Sequence, residues 1–152
     1  MNSDTVDKRK RVLIVDDEPD LVRTIGLRLQ RAGYEVLMAP DAVTATQVAI
    51  AQRPDAIVLD IGLPGGDGHV VAKRLKGNVR TSGIPVIFVT ARAGRADVTK
   101  AQEVGAFGYL VKPYEPAALL DLVKLATGGR DFDEAEATLS AAGRMMRTPP
   151  PS

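Results

Sequence analysis

Cysteine is absent from the chain, and histidine occurs once, at position 69. Without cysteine no disulfide staples the fold, which suits a reducing cytoplasm, the compartment expected here. No apolar run opens the chain either. Met1 to Lys10 is polar and charged, so neither a signal peptide nor a membrane span is expected there. An excess charge of one sign is also missing: the formal net charge of +1 gives no general attraction to nucleic acid. The basic run Lys8, Arg9, Lys10, Arg11 is short and reads as a solvated lead-in. What the chain does have is 152 residues, 45% hydrophobic and 26% charged, enough for one core and too few for two full-sized domains.

Apolar runs too short for helices recur along it: Val12 to Val15, Val36 to Ala39, Ala56 to Leu59, Val86 to Val89 and Tyr109 to Val111. They are continuous in hydrophobicity rather than alternating, as strands covered on both faces of a parallel sheet are. Helical spacing fills the gaps. Pro19 to Ala32 puts Leu21, Val22, Ile25 and Leu29 on one stripe, with Pro19 suited to the first turn and Gly33 to the stop. A second helix follows a capping Asp41 and ends before Pro54, and a third runs from about His69 to Lys76 after a glycine-rich turn. A fourth, Ala96 to Val104, has a weak apolar stripe; a fifth opens at Pro116 and offers Leu119, Leu120, Leu122, Val123 and Ala126 to a core. Strand and helix thus alternate, which predicts an α/β fold with a parallel sheet covered on both faces and right-handed crossovers. The expected divisions are a flexible lead at 1–10, one domain at 11–127 and an extension at 128–152.

Ligands of such sheets bind beyond the carboxyl ends of the strands. Those ends carry Asp16 and Asp17, then Asp60, Thr90 and Lys112. Three carboxylates at one rim repel one another unless protons or a cation offset them. A hard divalent ion with oxygen ligands is the natural partner, and magnesium is the first candidate. A phosphoryl group placed on a carboxylate beside that ion needs donors for its remaining oxygens, and Thr90 and Lys112 can supply them. Small Ala91 leaves the entrance open.

The strand ending in Asp16-Asp17, the run Asp60-Ile61-Gly62-Leu63-Pro64-Gly65-Gly66-Asp67-Gly68, and the pairs Thr90-Ala91 and Lys112-Pro113 resemble the response-regulator receiver family of two-component signalling. The resemblance spans Arg11 to Thr127. It implies a doubly wound, flavodoxin-like α/β fold with a five-stranded parallel sheet of order 2-1-3-4-5. It implies that Asp60 accepts a phosphoryl group with Mg2+, or Mn2+ in its place, and that no other cofactor is used. Asp17 would be a direct metal ligand, Asp16 a ligand through water or a positioner, and Gly62 a ligand through its backbone carbonyl. Thr90 and Lys112 would grip the phosphoryl group, Thr90 and Tyr109 would form the switch, and the Lys112-Pro113 bond would be cis. The implied donor is a sensor histidine kinase or a histidine phosphotransfer protein. The implied output is a downstream protein, or a second copy engaged through the face of the fourth helix, fifth strand and fifth helix or through the tail. Such a module is not an enzyme apart from autocatalytic phosphoryl transfer and self-dephosphorylation, and it touches neither nucleic acid nor membrane directly. Two positions where the family varies are Gly62, whose missing side chain leaves water freer access, and Arg92, whose guanidinium either shields the site or pairs with the acids.

Each signal has a plainer reading. Asp17 or Glu18 can cap the helix at Pro19, Thr90 can start a turn, Lys112 can be a surface lysine and Tyr109 can be core filler. The joint pattern at four strand ends favours function. His69 follows Gly68 at a helix start and reads as an exposed polar residue rather than a phosphate carrier. The glycines from Gly62 to Gly68 lack the lysine and hydroxyl of a P-loop and fit a tight turn. An aspartyl-nucleophile phosphohydrolase would want a second acid where Gly62 stands. A flavodoxin-like cofactor binder would want hydroxyls where Asp16, Asp17 and Glu18 stand. A phosphate sink or an unphosphorylated adaptor on the same fold stays open.

After Gly128-Gly129 too few residues remain for a DNA-binding domain. Asp131 and Glu134 resemble a capping box, and Phe132, Ala135, Leu139, Ala142 and Met146 follow at helical spacing, which predicts a helix over 131–147. It either docks on the domain or on another protomer, or it is a frayed linker. Thr148 to Ser152, with three prolines, is expected to be disordered.

Overall fold

Five strands run parallel because each is followed by a helix that carries the chain back across the sheet. The computed structural model describes residues 9–64, 66–91, 94–128 and 145–147. In chain order the elements are β1 (Arg11–Val15), α1 (Pro19–Arg31), β2 (Glu35–Ala39), α2 (Ala42–Gln52), β3 (Ala56–Asp60), β4 (Gly62–Leu63), β5 (Gly66–Asp67), α3 (Gly68–Lys76), β6 (Val86–Thr90), α4 (Arg95–Glu103), β7 (Gly108–Val111), α5 (Pro116–Gly128) and β8 (Met145–Arg147). The main sheet has the order β2-β1-β3-β6-β7-β8. Its first five strands are parallel, in the order 2-1-3-4-5 when counted among themselves. Among the described residues no helix is long and apolar enough to cross a membrane.

Successive strand residues point to opposite faces, and both faces are covered. On one side Leu13, Val15, Ile57, Leu59, Phe88 and Tyr109 pack with residues of α2, α3 and α4. On the other, Val12, Ile14, Val58, Ile87, Val89 and Leu110 pack with α1 and α5. That double covering is why β3 and β6 are buried along their whole length and why their sequences do not alternate. The second helix is capped as expected: Asp41 accepts the Thr44 N–H at 2.8 Å, which also holds its carboxyl below the usual carboxylate range. The weak fourth stripe reflects a helix with Ala101 as its one buried residue.

One expectation is sharpened and two change. The glycine-rich turn is a short antiparallel hairpin, β4 against β5, with Gly62 opposite Asp67. His69 is buried rather than exposed, because α3 starts at Gly68 and turns His69 onto the sheet side, beside Val71, Ala72 and Leu75. The tail helix expected over 131–147 does not reach its end: residues 145–147 form β8, which pairs antiparallel with β7, Met146 opposite Tyr109. The outer edge of β7 offers unpaired main-chain groups, and pairing with them overrides a local helical preference. Residues 131–144 and 148–152 lie outside the described residues, as do Gly65 and Arg92.

One close approach matters for the site. A Cβ on Gly68 would lie 2.5 Å from the Asp60 carbonyl oxygen and 2.7 Å from the Ile61 Cα. The Gly68 N–H also donates to the Ile61 carbonyl at 2.8 Å, so the start of α3 is laid directly on the end of β3. Gly68→Ala is therefore expected to cost about 1–3 kcal/mol of stability, because the crowding is against backbone that cannot swing aside. Urea unfolding of the variant measures it, and a midpoint equal to wild type would contradict the packing described.

Candidate functional site

The parallel sheet delivers its strand ends to one rim. Asp16 and Asp17 follow β1, Asp60 ends β3, Thr90 ends β6 and Lys112 follows β7. Backbone bonds fix these positions: the Asp16 N–H donates to the Ala39 carbonyl at 3.3 Å, and the Lys112 N–H to the Thr90 carbonyl at 2.7 Å. Asp16, Asp60 and Thr90 are buried, while Asp17 is exposed.

The Lys112 ammonium organises the acids. It donates to Asp16 Oδ2 at 2.8 Å, to Glu18 Oε1 at 2.7 Å and to Asp60 Oδ2 at 3.3 Å. The other oxygens are held by main chain: the Glu18 N–H donates to Asp16 Oδ1 at 3.0 Å, and the Gly62 N–H to Asp60 Oδ1 at 3.1 Å. Burial alone would lower the Lys112 pKa, but the hydrogen bonds to Asp16 and Glu18 and the charges of Asp16 and Asp60 outweigh it, so the pKa is raised and the ammonium persists. For Asp16 burial wins: its pKa is raised in spite of the bonds from Lys112 and Glu18, and the charge of Asp60 pushes the same way.

Asp16, Asp17 and Asp60 each bring a carboxylate oxygen to within 4.8 Å of the others. This all-oxygen donor set, half shielded from water and rich in negative charge, fits a hard divalent cation and does not fit a soft one. Among the described residues four carboxylates, counting Glu18, face one ammonium, which leaves negative charge for an ion to neutralise. Thr90 is buried at the end of β6, and Tyr109 is fully buried with its ring 6.4 Å from that of Phe88. The Lys112-Pro113 peptide bond is cis. A Cβ on Gly62 would meet nothing within 4 Å, so open space lies beside the acceptor strand end.

Two residues escaped the sequence reading. Glu18 stands at the N-cap of α1, yet its side chain makes no capping bond, because it is committed to Lys112. Its place in the acid run Asp16-Asp17-Glu18 was the available signal. Tyr114, just beyond the cis proline, has its hydroxyl pKa raised, first by burial and then by Asp16, Glu18 and Asp60 against the pull of Lys112. No sequence signal marks it.

Residues 12–124 match the family model for the response regulator receiver domain. The phosphate regulon transcriptional regulatory protein PhoB of Pseudomonas aeruginosa is 36% identical over 137 residues, which is 90% of this chain and 60% of that protein. The chain thus spans less than two thirds of the length of curated relatives it matches. Among solved structures, a chemotaxis response regulator of Vibrio cholerae superposes with a TM-score of 0.74 at 30% identity, covering 78% of this chain and 99% of that one. The receiver domain of a Pseudomonas aeruginosa sensor histidine kinase, solved with magnesium coordinated in its active-site cleft, gives 0.72 at 30% identity, covering 79% and 98%.

The raised Asp16 pKa has a definite sign. Its contribution to stability is fully present below the unfolded-state pKa and is lost as pH rises through the folded one, so the ionised form is a burden at neutral pH. In metal-free buffer Asp16→Asn is expected to be more stable than wild type at neutral pH, with the gap narrowing as the pH falls into the acid range. Urea unfolding at neutral and at acid pH checks this, and an Asn variant less stable than wild type at neutral pH would reverse the assignment.

Proposed function

The chain belongs to the response regulator receiver family, and from that membership we propose that it is a phosphorylation-driven switch with Asp60 as phosphoacceptor. Receiver domains act as switches rather than as enzymes that turn over an external substrate, and they work with histidine kinases and downstream partners. The observation that carries the assignment is the setting of Asp60. It is the acid at the end of the central strand β3, with Lys112 3.3 Å from one oxygen and two further carboxylates within metal-sharing distance.

In the proposed reaction a carboxylate oxygen of Asp60 attacks the phosphorus of a phosphohistidine. The new P–O bond forms as the P–N bond breaks, and the imidazole leaves with the electron pair and is then protonated. Asp17 and Asp60, the Gly62 carbonyl, and Asp16 through water or as a positioner would hold a divalent ion, which when bound supplies charge neutralisation at the transferring group. Lys112 is already a fixed ammonium and would follow the incoming anion. Thr90 would donate its hydroxyl to a phosphoryl oxygen, and its movement inward would free space for Tyr109 to fill. Gly62 leaves water a path to the acyl phosphate, which supports self-dephosphorylation. The donor is a sensor histidine kinase or a histidine phosphotransfer protein, and the output is protein contact through α4, β7 and α5, to a partner or a second copy.

Incubation with a small acyl-phosphate donor, followed by intact-mass measurement, tests the assignment. One added phosphoryl group is expected on wild type with magnesium, and none without the metal or on Asp60→Asn. Labelling of both proteins to the same extent would reject Asp60. Magnesium alone should raise the unfolding midpoint of wild type by mass action, and leave that of Asp17→Asn nearly unmoved.

A further inference from the structure

Away from the rim, one buried polar side chain is unused by the proposed switch. His69 is buried, and neither ring nitrogen has a hydrogen-bond partner. An apolar side chain would suit that position better if packing were its only role, since unpaired polar atoms are costly to bury. Three contacts give the imidazole another role. Its Nε2 faces Asp97 Oδ1 of α4 at 3.7 Å, within ion-pair range and one small closure short of a hydrogen bond. Its ring lies 5.2 Å from Phe88, which in turn contacts Tyr109. Its neighbour Gly68 abuts the Asp60 carbonyl, and its own N–H donates to the Asp67 cap at 2.7 Å.

We infer that His69 is a positioning residue that ties α4 to the Phe88–Tyr109 core through Asp97, so that α4 is held in register with the state of Asp60. The tie spans the groove between α3 and α4, a cavity of about 760 Å³ whose walls also carry Lys73, Lys76, Lys100 and Glu103. Ala101 is the one buried residue of α4, with Val98 packed more loosely on the core, so a polar contact at the Asp97 end bears on where the helix sits. The arrangement it favours is the one with Thr90 and Tyr109 both buried. On the proposed function, which the inference deepens, that is the arrangement suited to a phosphoryl group on Asp60.

The test combines His69→Phe, which keeps a ring against Phe88 and removes both nitrogens, with Asp97→Asn and the double variant. Two readouts are taken: hydrogen exchange of the α4 amides without any phosphoryl donor, and affinity for beryllofluoride with magnesium. Each single variant and the double variant should speed α4 exchange and weaken beryllofluoride binding by the same factor, on the order of fivefold. His69→Gln, which restores a side-chain N–H donor, should recover much of the loss. His69→Phe should unfold at the wild-type urea concentration or above, which separates loss of the tie from loss of fold; Asp97→Asn, nearer the surface, reports the tie without altering the core. Unchanged α4 exchange in both single variants, or additive losses in the double variant, would overturn the inference. Equal beryllofluoride binding by wild type and Asp60→Asn would instead sink the phosphoacceptor reading, while the exchange measurements still decide for or against the tie.

Discussion

Everything at the rim depends on one ammonium held among carboxylates. Parallel strands send all their carboxyl ends to the same side, so acids at the ends of β1 and β3 are forced together by topology. Left alone they would repel one another and pay for burial besides. Lys112 relieves this because the β6–β7 pairing fixes its backbone beside Thr90, and the side chain can then reach Asp16, Glu18 and Asp60 together. The relief is incomplete, as the raised pKa of Asp16 indicates. A site of this kind draws its stability from the two apolar layers on either side of the sheet and gives part of it up for chemistry.

The strands were legible because covering on both faces leaves a mark that local sequence carries: unbroken runs of Val, Ile and Leu. Their ends were legible for the same reason, since the first charged residue after such a run marks the rim. Asp16, Asp60 and Lys112 could be named that way. Glu18 could not, because a glutamate before Pro19 looks like a cap. Only the geometry of Lys112 tells that its carboxylate turns away from the helix. β8 was hidden for a different reason. Strand addition at the β7 edge is a non-local event, and residues 145–147 have no local pattern that announces it.

His69 is the instructive miss. Read alone, a histidine after a glycine at a helix start is a surface residue. Read with its helix, it stands three residues before Ala72 and six before Leu75, both fully covered, and so belongs to their stripe. The start of α3 therefore serves several demands in consecutive residues. Asp67 caps the helix, Gly68 permits contact with the Asp60 backbone, and His69 enters the core beside Phe88. Of the three, Gly68 lies directly against the backbone of Asp60 and Ile61.

The charge balance at the rim also constrains how the proposed switch can be driven. A phosphoryl group adds roughly two negative charges, and it would arrive where four carboxylates already outnumber one ammonium. Lys112 cannot neutralise the addition without weakening its hold on Asp16 and Glu18. On the proposed function, a divalent cation shared by the acids would offset that addition, and the free energy available for switching would then depend on its presence. Inverting the populations of two states takes about 5.5 kcal/mol of differential interaction. On the proposed function part of this would come from surfaces that differ between the states, and α4, with Ala101 as its one buried residue, is a candidate for such a surface.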